Sequence, residues 1–276
     1  MLEFCPCKIN LGLNVVEKRP DGFHNLETVF YPILWQDSLE IIENTDNQDF
    51  EIHISGLKID GNVQDNIIYK AFQFIRQHHQ VPNIKVHLHK SIPMGAGLGG
   101  GSSNAAVFIN LIDKKFNLGL SLAEKTDIAG GLGSDCAFFI EQKPVFATGK
   151  GDVFEPVQIN LLKYYILLVY PGIHSNTKTA YAGVTPQRPK QNIKSILENT
   201  PIHEWKSLLV NDFEASVCKA FPEIEKVKQQ LYNNGAIYAC MSGSGSTVFG
   251  IFKEKPSMSF PQHYQSFLQE PISEKI

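Results

Sequence analysis

The stretch Pro93-Met94-Gly95-Ala96-Gly97-Leu98-Gly99-Gly100-Gly101-Ser102-Ser103-Asn104-Ala105-Ala106 gives up backbone order at one place and then turns apolar. Residues 84–88 before it alternate like a strand. After it, Ala105, Phe108, Ile109, Ile112 and Phe116 stand at offsets 0, 3, 4, 7 and 11, an amphipathic helix stripe with a serine at its start. A strand, a glycine turn and a helix suit anion binding. The first helical N–H groups have no intrahelical acceptor, the helix dipole is positive there, and glycine lets a phosphate approach the backbone.

Other uses of glycine fit less well. A linker joins independent units, whereas this loop joins a strand directly to a helix. Gly95, Gly97 and Gly100 match the dinucleotide fingerprint, but the acidic residue required at the tip of a second strand is missing: that window is Asp113-Lys114-Lys115-Phe116, the end of the helix. No Gly-Lys-Ser/Thr occurs, so the loop is not a Walker A, and the protein kinase motifs are missing too.

Several other residues could carry chemistry. Asp135 follows Gly130-Gly131-Leu132-Gly133 and precedes an apolar run, so it is either a capping aspartate or a carboxylate at the edge of the core. Lys8 sits between apolar neighbours in a strand pattern, where its ammonium needs a carboxylate or phosphate partner. The turn Arg19-Pro20-Asp21-Gly22 presents Phe23 and His24, which could stack on a base and bond its edge, or could be core and turn cap. Thr177 and Tyr181 share a helix face at i, i+4.

The elements that position them follow from periodicity. Strand patterns cover 7–16, 25–35, 39–42 and 50–54; a helix opens at Asp65 with Ile68, Ala71, Phe72 and Ile75 on one face. A second helix spans 122–128, Gly130–Gly133 reads as a break, and 136–140 as a short apolar run. Strands at 145–148 and 164–169 follow, then a surface connection at 185–191, helices at 202–218 and 222–232, and strands at 236–240 and 247–252. This is an α+β chain, divided for the purpose of expectation into 1–155 and 156–276.

Composition sets limits. With 25 basic and 28 acidic residues there is no positive field for nucleic acid or anionic membrane, so a small-molecule substrate is expected. The longest apolar run, 164–170, is too short to span a bilayer, and a cytoplasmic, unexported protein is expected. Cys5, Cys7, Cys136, Cys218 and Cys240 lack zinc-ligand spacing and read as reduced structural thiols.

The glycine loop, Met241-Ser242-Gly243-Ser244-Gly245-Ser246-Thr247-Val248-Phe249-Gly250, and Cys5-Pro6-Cys7-Lys8-Ile9-Asn10-Leu11 together resemble the three motifs of the GHMP kinases. Lys18-Arg19-Pro20-Asp21-Gly22-Phe23-His24 and Gly133-Ser134-Asp135-Cys136-Ala137-Phe138-Phe139 are similar to the branch of that family whose alcohol substrate carries a cytidine diphosphate and feeds isoprenoid precursors. Cys136-Ala137 stands where that branch usually has Val-Pro, and Cys5-Pro6-Cys7 where A-P-A is more frequent.

The resemblance implies a two-domain GHMP kinase fold with the ATP and substrate sites in the cleft between domains. It implies that residues from Pro93 to Ser103 hold the phosphates of ATP, with Ser102 or Ser103 assisting Mg²⁺, and that Asn66 and Lys90 lie near the adenosine. Mg²⁺ would arrive with the nucleotide, without a protein metal cage. Lys8 and Asp135 are implied as the catalytic pair, and Asn10, Phe23, His24, Thr177 and Tyr181 as substrate-binding, Phe23 and Tyr181 sandwiching the cytosine. Homoserine- or mevalonate-type kinases are the rivals within the family, and a dinucleotide oxidoreductase is the rival outside it.

Overall fold

The computed structural model describes residues 1–59 and 61–272. Among these, two compact units are interleaved in sequence. One holds Met1–Cys7, Ile33–Met94 and Gly99–Lys143; the other holds Lys8–Pro32, Gly95–Leu98 and the residues from Pro144 onward. The units therefore do not follow the single division at 155 expected from sequence. Two long strands, β1 (Leu2–Lys18) and β2 (His24–Glu43), each contribute residues to both. β2 is continuous where two strands were expected, because Gln36-Asp37-Ser38 is drawn into it with Asp37 buried.

In the first unit, β3 (Phe50–Gly56) runs parallel to β4 (Ile84–Lys90), and β4 pairs antiparallel with Ser38–Glu43 of β2. The crossover between β3 and β4 carries α1 (Ile67–His78), capped by Asn66, whose Oδ1 accepts the Ile68 N–H at 2.9 Å. Every second residue of β4 is buried, as a strand with one covered face requires. The stripe of α1 is the one expected, and the Phe72 ring lies 5.1 Å from that of Phe50.

Next comes α2 (Gly100–Phe116), buried along most of its length. Fully buried Phe108 and Ile109 each stabilise the unit by roughly 1.5–3 kcal/mol. α3 (Leu122–Leu132) opens on a Ser121/Glu124 capping box and continues through Gly130 and Gly131, where a break was expected. α4 (Phe138–Glu141) replaces the expected apolar run at 136–140.

In the second unit, β5 (Val145–Thr148) pairs with Thr28–Phe30 of β2 and with β6 (Val153–Pro156). β7 (Tyr165–Tyr170) is followed by five helices: α5 (Thr177–Ala182), α6 (Ile193–Asn199), α7 (Trp205–Leu208), α8 (Glu214–Ala220) and α9 (Pro222–Asn233). Strands β8 (Tyr238–Met241), β9 (Val248–Phe252) and β10 (Gln265–Gln269) complete an antiparallel sheet in the order β10-β7-β9-β8. Leu13, Val169, Phe213, Leu231, Met241 and Val248 belong to its core.

The helix expected over 202–218 is interrupted between α7 and α8. Residues 210–212 instead run beside β1, with Leu13 N–H donating to Val210 O at 2.8 Å and Asp212 N–H to Leu13 O at 2.9 Å. Strand-like pairing with β1 outcompetes helix propensity there. No helix among the described residues is long and apolar enough to cross a membrane.

Candidate active site

Gly95, Gly97 and Gly99 have φ of 62°, 78° and 70°, while the intervening Ala96 and Leu98 do not enter the left-handed region. Alternation of this kind turns successive N–H groups to one side. The carbonyls face the other way and are engaged: Ala96 O accepts from Thr247 N–H at 3.1 Å, Gly97 O from Ser242 Oγ at 2.9 Å, and Leu98 O from Lys8 N–H at 3.0 Å. In a trans peptide the N–H points opposite to its C=O, so the N–H groups of Gly97, Leu98 and Gly99 point away from those donors.

The residue that caps α2 is Gly99, in the left-handed conformation, not a serine. Ser102 and Ser103 lie inside the first turn, which carries no acidic side chain to compete with an anion. A Cβ at Gly100 would come within 3.0 Å of Ile92, whereas one at Gly101 would meet nothing within 4 Å. Gly100 is glycine for packing; Gly101 faces space that the protein does not fill. Ser103 Oγ is fully buried with no hydrogen-bond partner among the described residues, while Ser102 is only half-buried.

Beneath this helix start lies a buried network that the sequence did not reveal. Lys90 Nζ donates to Asp37 Oδ2 at 2.5 Å and to Asn104 Oδ1 at 3.1 Å; Asp37 Oδ1 accepts the N–H groups of Ser91 and Ile92 at 2.7 and 2.9 Å. The Lys90 and Asp37 side chains are 0% exposed. The Lys90 ammonium is thus enclosed and neutralised. Removing either partner would leave a buried charge and cost about 3–5 kcal/mol. The signal was an aspartate inside an apolar strand run, which is costly unless paired.

Asp135 lies in the turn between α3 and α4, half-buried. It does not cap α4, whose N-cap is Ala137 without a side-chain bond. Beside it, burial pushes the Cys136 thiol up to about 11 against the opposing pull of a hydrogen bond with Ser102; the Asp135 charge adds to the rise. Ser102, in the first turn of α2, is thus a neighbour of Cys136 in the Asp135 turn. Burial pushes the Cys5 thiol up to about 12, against the opposing pull of Asn104 in the next turn. Two of the cysteines that depart from the family pattern, Cys5 and Cys136, are therefore protonated thiols near the α2 start, and all five cysteines are free.

In the second unit, Lys8 is buried with its Nζ donating to Asn10 Oδ1 at 2.7 Å and lying 5.0 Å from the Phe30 ring centroid. Asn10 Nδ2 donates to Thr28 Oγ1 at 2.9 Å, and Thr28 Oγ1 to Gly12 O at 2.6 Å. This chain of bonds fixes the amide, whose Oδ1 also accepts from Ser242 Oγ at 3.4 Å. The β8–β9 turn is braced by Asn211, whose Nδ2 donates to Met241 O and Gly243 O, each at 2.8 Å. Asn211 was not singled out from sequence, where it falls inside the helix expected over 202–218, and Ser242 was noted only as part of the third glycine motif.

His24 stacks on Tyr181 with centroids 4.7 Å apart and planes at 21°, and Tyr181 meets the edge of Phe213 at 4.7 Å. Burial, with the charge of Lys18, holds the His24 imidazole below its ordinary value. The structure thus brings Tyr181 against His24, not Phe23. Phe23 is 58% exposed, with Lys150 Nζ 5.1 Å from its centroid. Thr177 Oγ1 lies 3.0 Å from Ser244 Oγ, which links α5 to the β8–β9 turn.

Comparison with known proteins agrees with these features. The model of the GHMP kinases N terminal domain matches residues 66–143, and that of the GHMP kinases C terminal matches residues 193–259. The 4-diphosphocytidyl-2-C-methyl-D-erythritol kinase of Bacteroides fragilis (strain YCH46) is 48% identical over 260 residues, 94% of each chain. That of Cytophaga hutchinsonii is 49% identical over 257 residues, 93% of this chain and 94% of the relative. A crystal structure of 4-(cytidine 5'-diphospho)-2C-methyl-D-erythritol kinase has a TM-score of 0.76 at 28% identity, covering 91% of this chain and 90% of that one. Methanococcus jannaschii mevalonate kinase, at 13% identity and a TM-score of 0.68 over 99% and 98% of the two chains, shares the fold.

Proposed function

The chain belongs to the GHMP kinase family, and we propose that it transfers the γ-phosphoryl of ATP to the 2-hydroxyl of 4-diphosphocytidyl-2-C-methyl-D-erythritol. The observation that carries the reading is the Asp135 turn, whose Cys136 neighbours Ser102 at a helix start where Gly101 faces open space. A nucleophile's proton acceptor and a phosphate cradle are then placed near each other. The relatives' names supply the substrate.

The N–H groups of Gly97, Leu98 and Gly99, with those of the first turn of α2, bind the phosphates; the rest of the segment from Pro93 to Ser103 shapes the loop. Asn66 contributes near the nucleoside, since its Nδ2 has no partner among the described residues while its Oδ1 is held by the helix. Mg²⁺ supplies charge neutralisation on the phosphoryl oxygens. For it the chain offers hard oxygen donors at Ser102 and Asp135, whereas the enclosed Ser103 hydroxyl is turned inward. Among the described residues there is no cluster of three His, Cys, Asp or Glu, so phosphates and water would hold most of the ion.

Asp135 accepts the proton that the 2-hydroxyl loses as its oxygen bonds phosphorus and ADP departs. Lys8, oriented by Asn10, balances charge on the transferring group. His24, neutral near pH 7, has one ring nitrogen to donate and one to accept, which matches the mixed edge of cytosine; Phe23, Tyr181 and Thr177 complete the recognition of the cytidine.

The test is ADP release by purified protein with Mg-ATP and either 4-diphosphocytidyl-2-C-methyl-D-erythritol or the free methylerythritol phosphate. ADP is expected with the first only. Release with neither, or equally with both, would sink the assignment.

A further inference from the structure

A cavity of about 530 Å³ opens in the second unit, walled by β1, the segment after α5 and the residues between α7 and α8. Its volume falls in the range of small-ligand sites. At its floor lies Asn14, only 8% exposed, whose side-chain amide has no hydrogen-bond partner among the described residues. The amide faces the cavity, so a polar ligand group there would find both a donor and an acceptor free of protein partners. Asp212 lines the same floor. Its Oδ2 accepts the Val15 N–H at 2.7 Å, its Oδ1 has no partner among the described residues, and burial raises its pKa.

The mouth has the opposite character. Arg188 and Lys190 are exposed, flank a proline, and form no ion pair among the described residues. Ile193 and Ile196 supply apolar wall between floor and mouth. A matching ligand therefore has hydroxyl groups for the amide and carboxylate, an apolar carbon face, and an anion for the two cations. No aromatic side chain lines the cavity, so a nucleobase would find nothing to stack on.

We propose that this cavity is a second binding site, for a small phosphorylated sugar or polyol, whose occupancy is felt at the substrate-binding residues. Asp212 lies between two residues that brace them. Asn211 holds Met241 O and Gly243 O and accepts the Phe213 N–H at 3.0 Å, and Phe213 abuts Tyr181. A ligand drawn to Asp212 therefore acts on the segment that sets both the β8–β9 turn and the Tyr181 ring.

Ribose 5-phosphate is the probe, titrated calorimetrically into the full chain, with ribose and inorganic phosphate as separate arms. Binding tighter than either arm is expected, weakened by about tenfold or more in the exposed double variant R188A/K190A and in Asn14→Leu. In steady state, saturating ribose 5-phosphate should shift KM for the cytidylylated substrate in the wild type and not in R188A/K190A, whose turnover without sugar phosphate stays unchanged. The double variant touches only exposed side chains, so it keeps the test sound should Asn14→Leu fold poorly. Inorganic phosphate binding as tightly as the sugar phosphate, no heat up to about 10 mM, or equal affinity in R188A/K190A would overturn the site. An unmoved wild-type KM would overturn the coupling. The KM arm rests on the kinase reading and the calorimetric arm does not, so the two fail separately.

Discussion

The loop before α2 and the turn between β8 and β9 are both glycine-rich, yet their glycines answer to different physics. At Gly97 a Cβ would sit 2.1 Å from Ser242 O, and at Gly245 one would sit 2.7 Å from the Met241 sulfur; both residues have φ in the left-handed region. Gly97 lets two backbones approach and Gly245 makes room for the Met241 side chain, so both are required by the fold itself. Gly101 is the contrary case, with a helical backbone and nothing within 4 Å of the missing Cβ. Alanine would be the better helix former there by about 1 kcal/mol, so a glycine that helps neither packing nor helix points to a ligand. Composition alone cannot separate these cases, because only the neighbours distinguish them.

The comparison can be broken on its chemical side first. Asp135→Asn keeps the shape of the turn and removes the proton acceptor, so turnover should fall by roughly 10²- to 10⁴-fold with an unchanged Tm. Near-normal turnover would remove the base from this account. On the scaffold side, Gly97→Ala should cost about 1–3 kcal/mol for the clash with Ser242 and about 1–2 kcal/mol for the left-handed backbone, read as a fall in Tm. A stable Gly97→Ala would erase the distinction between the two kinds of glycine.

A smaller effect sharpens the substrate side. The His24 pKa is lowered, so its neutral form is favoured in the folded state, and its contribution to stability is present above the unfolded value of about 6.5 and lost as pH falls through the folded value. KM for the cytidylylated substrate should accordingly stay flat from about pH 8 to 6.5 and rise only below that. A rise that begins above pH 7 would mean that His24 is not the titrating contact.

How much of this was legible in the sequence depended on the range of the interactions. The α1 and α2 stripes, the alternation of β4 and the glycine loop are local patterns, and they emerged where periodicity set them. The Asp37–Lys90 pair spans 53 positions, so neither residue pointed to the other in the sequence, where Lys90 stood only as a residue that the resemblance places near the adenosine. The break between α7 and α8 comes from pairing of residues 210–212 with β1, again a distant partner that propensity cannot see. Conversely, Gly130 and Gly131 looked like a break but lie in α3, where their helix neighbours and the Ser121/Glu124 cap carry them. Tyr181 was expected beside the cytosine on resemblance, and its stack against His24 could only come from the fold.

The most direct measurement is the affinity of Gly101→Ala for a non-hydrolysable ATP analogue, taken together with its Tm. The account predicts an affinity loss of about tenfold or more with a Tm equal to or above that of the wild type, since the added methyl enters only the space kept for phosphate. Wild-type affinity in a normally folded Gly101→Ala would contradict it.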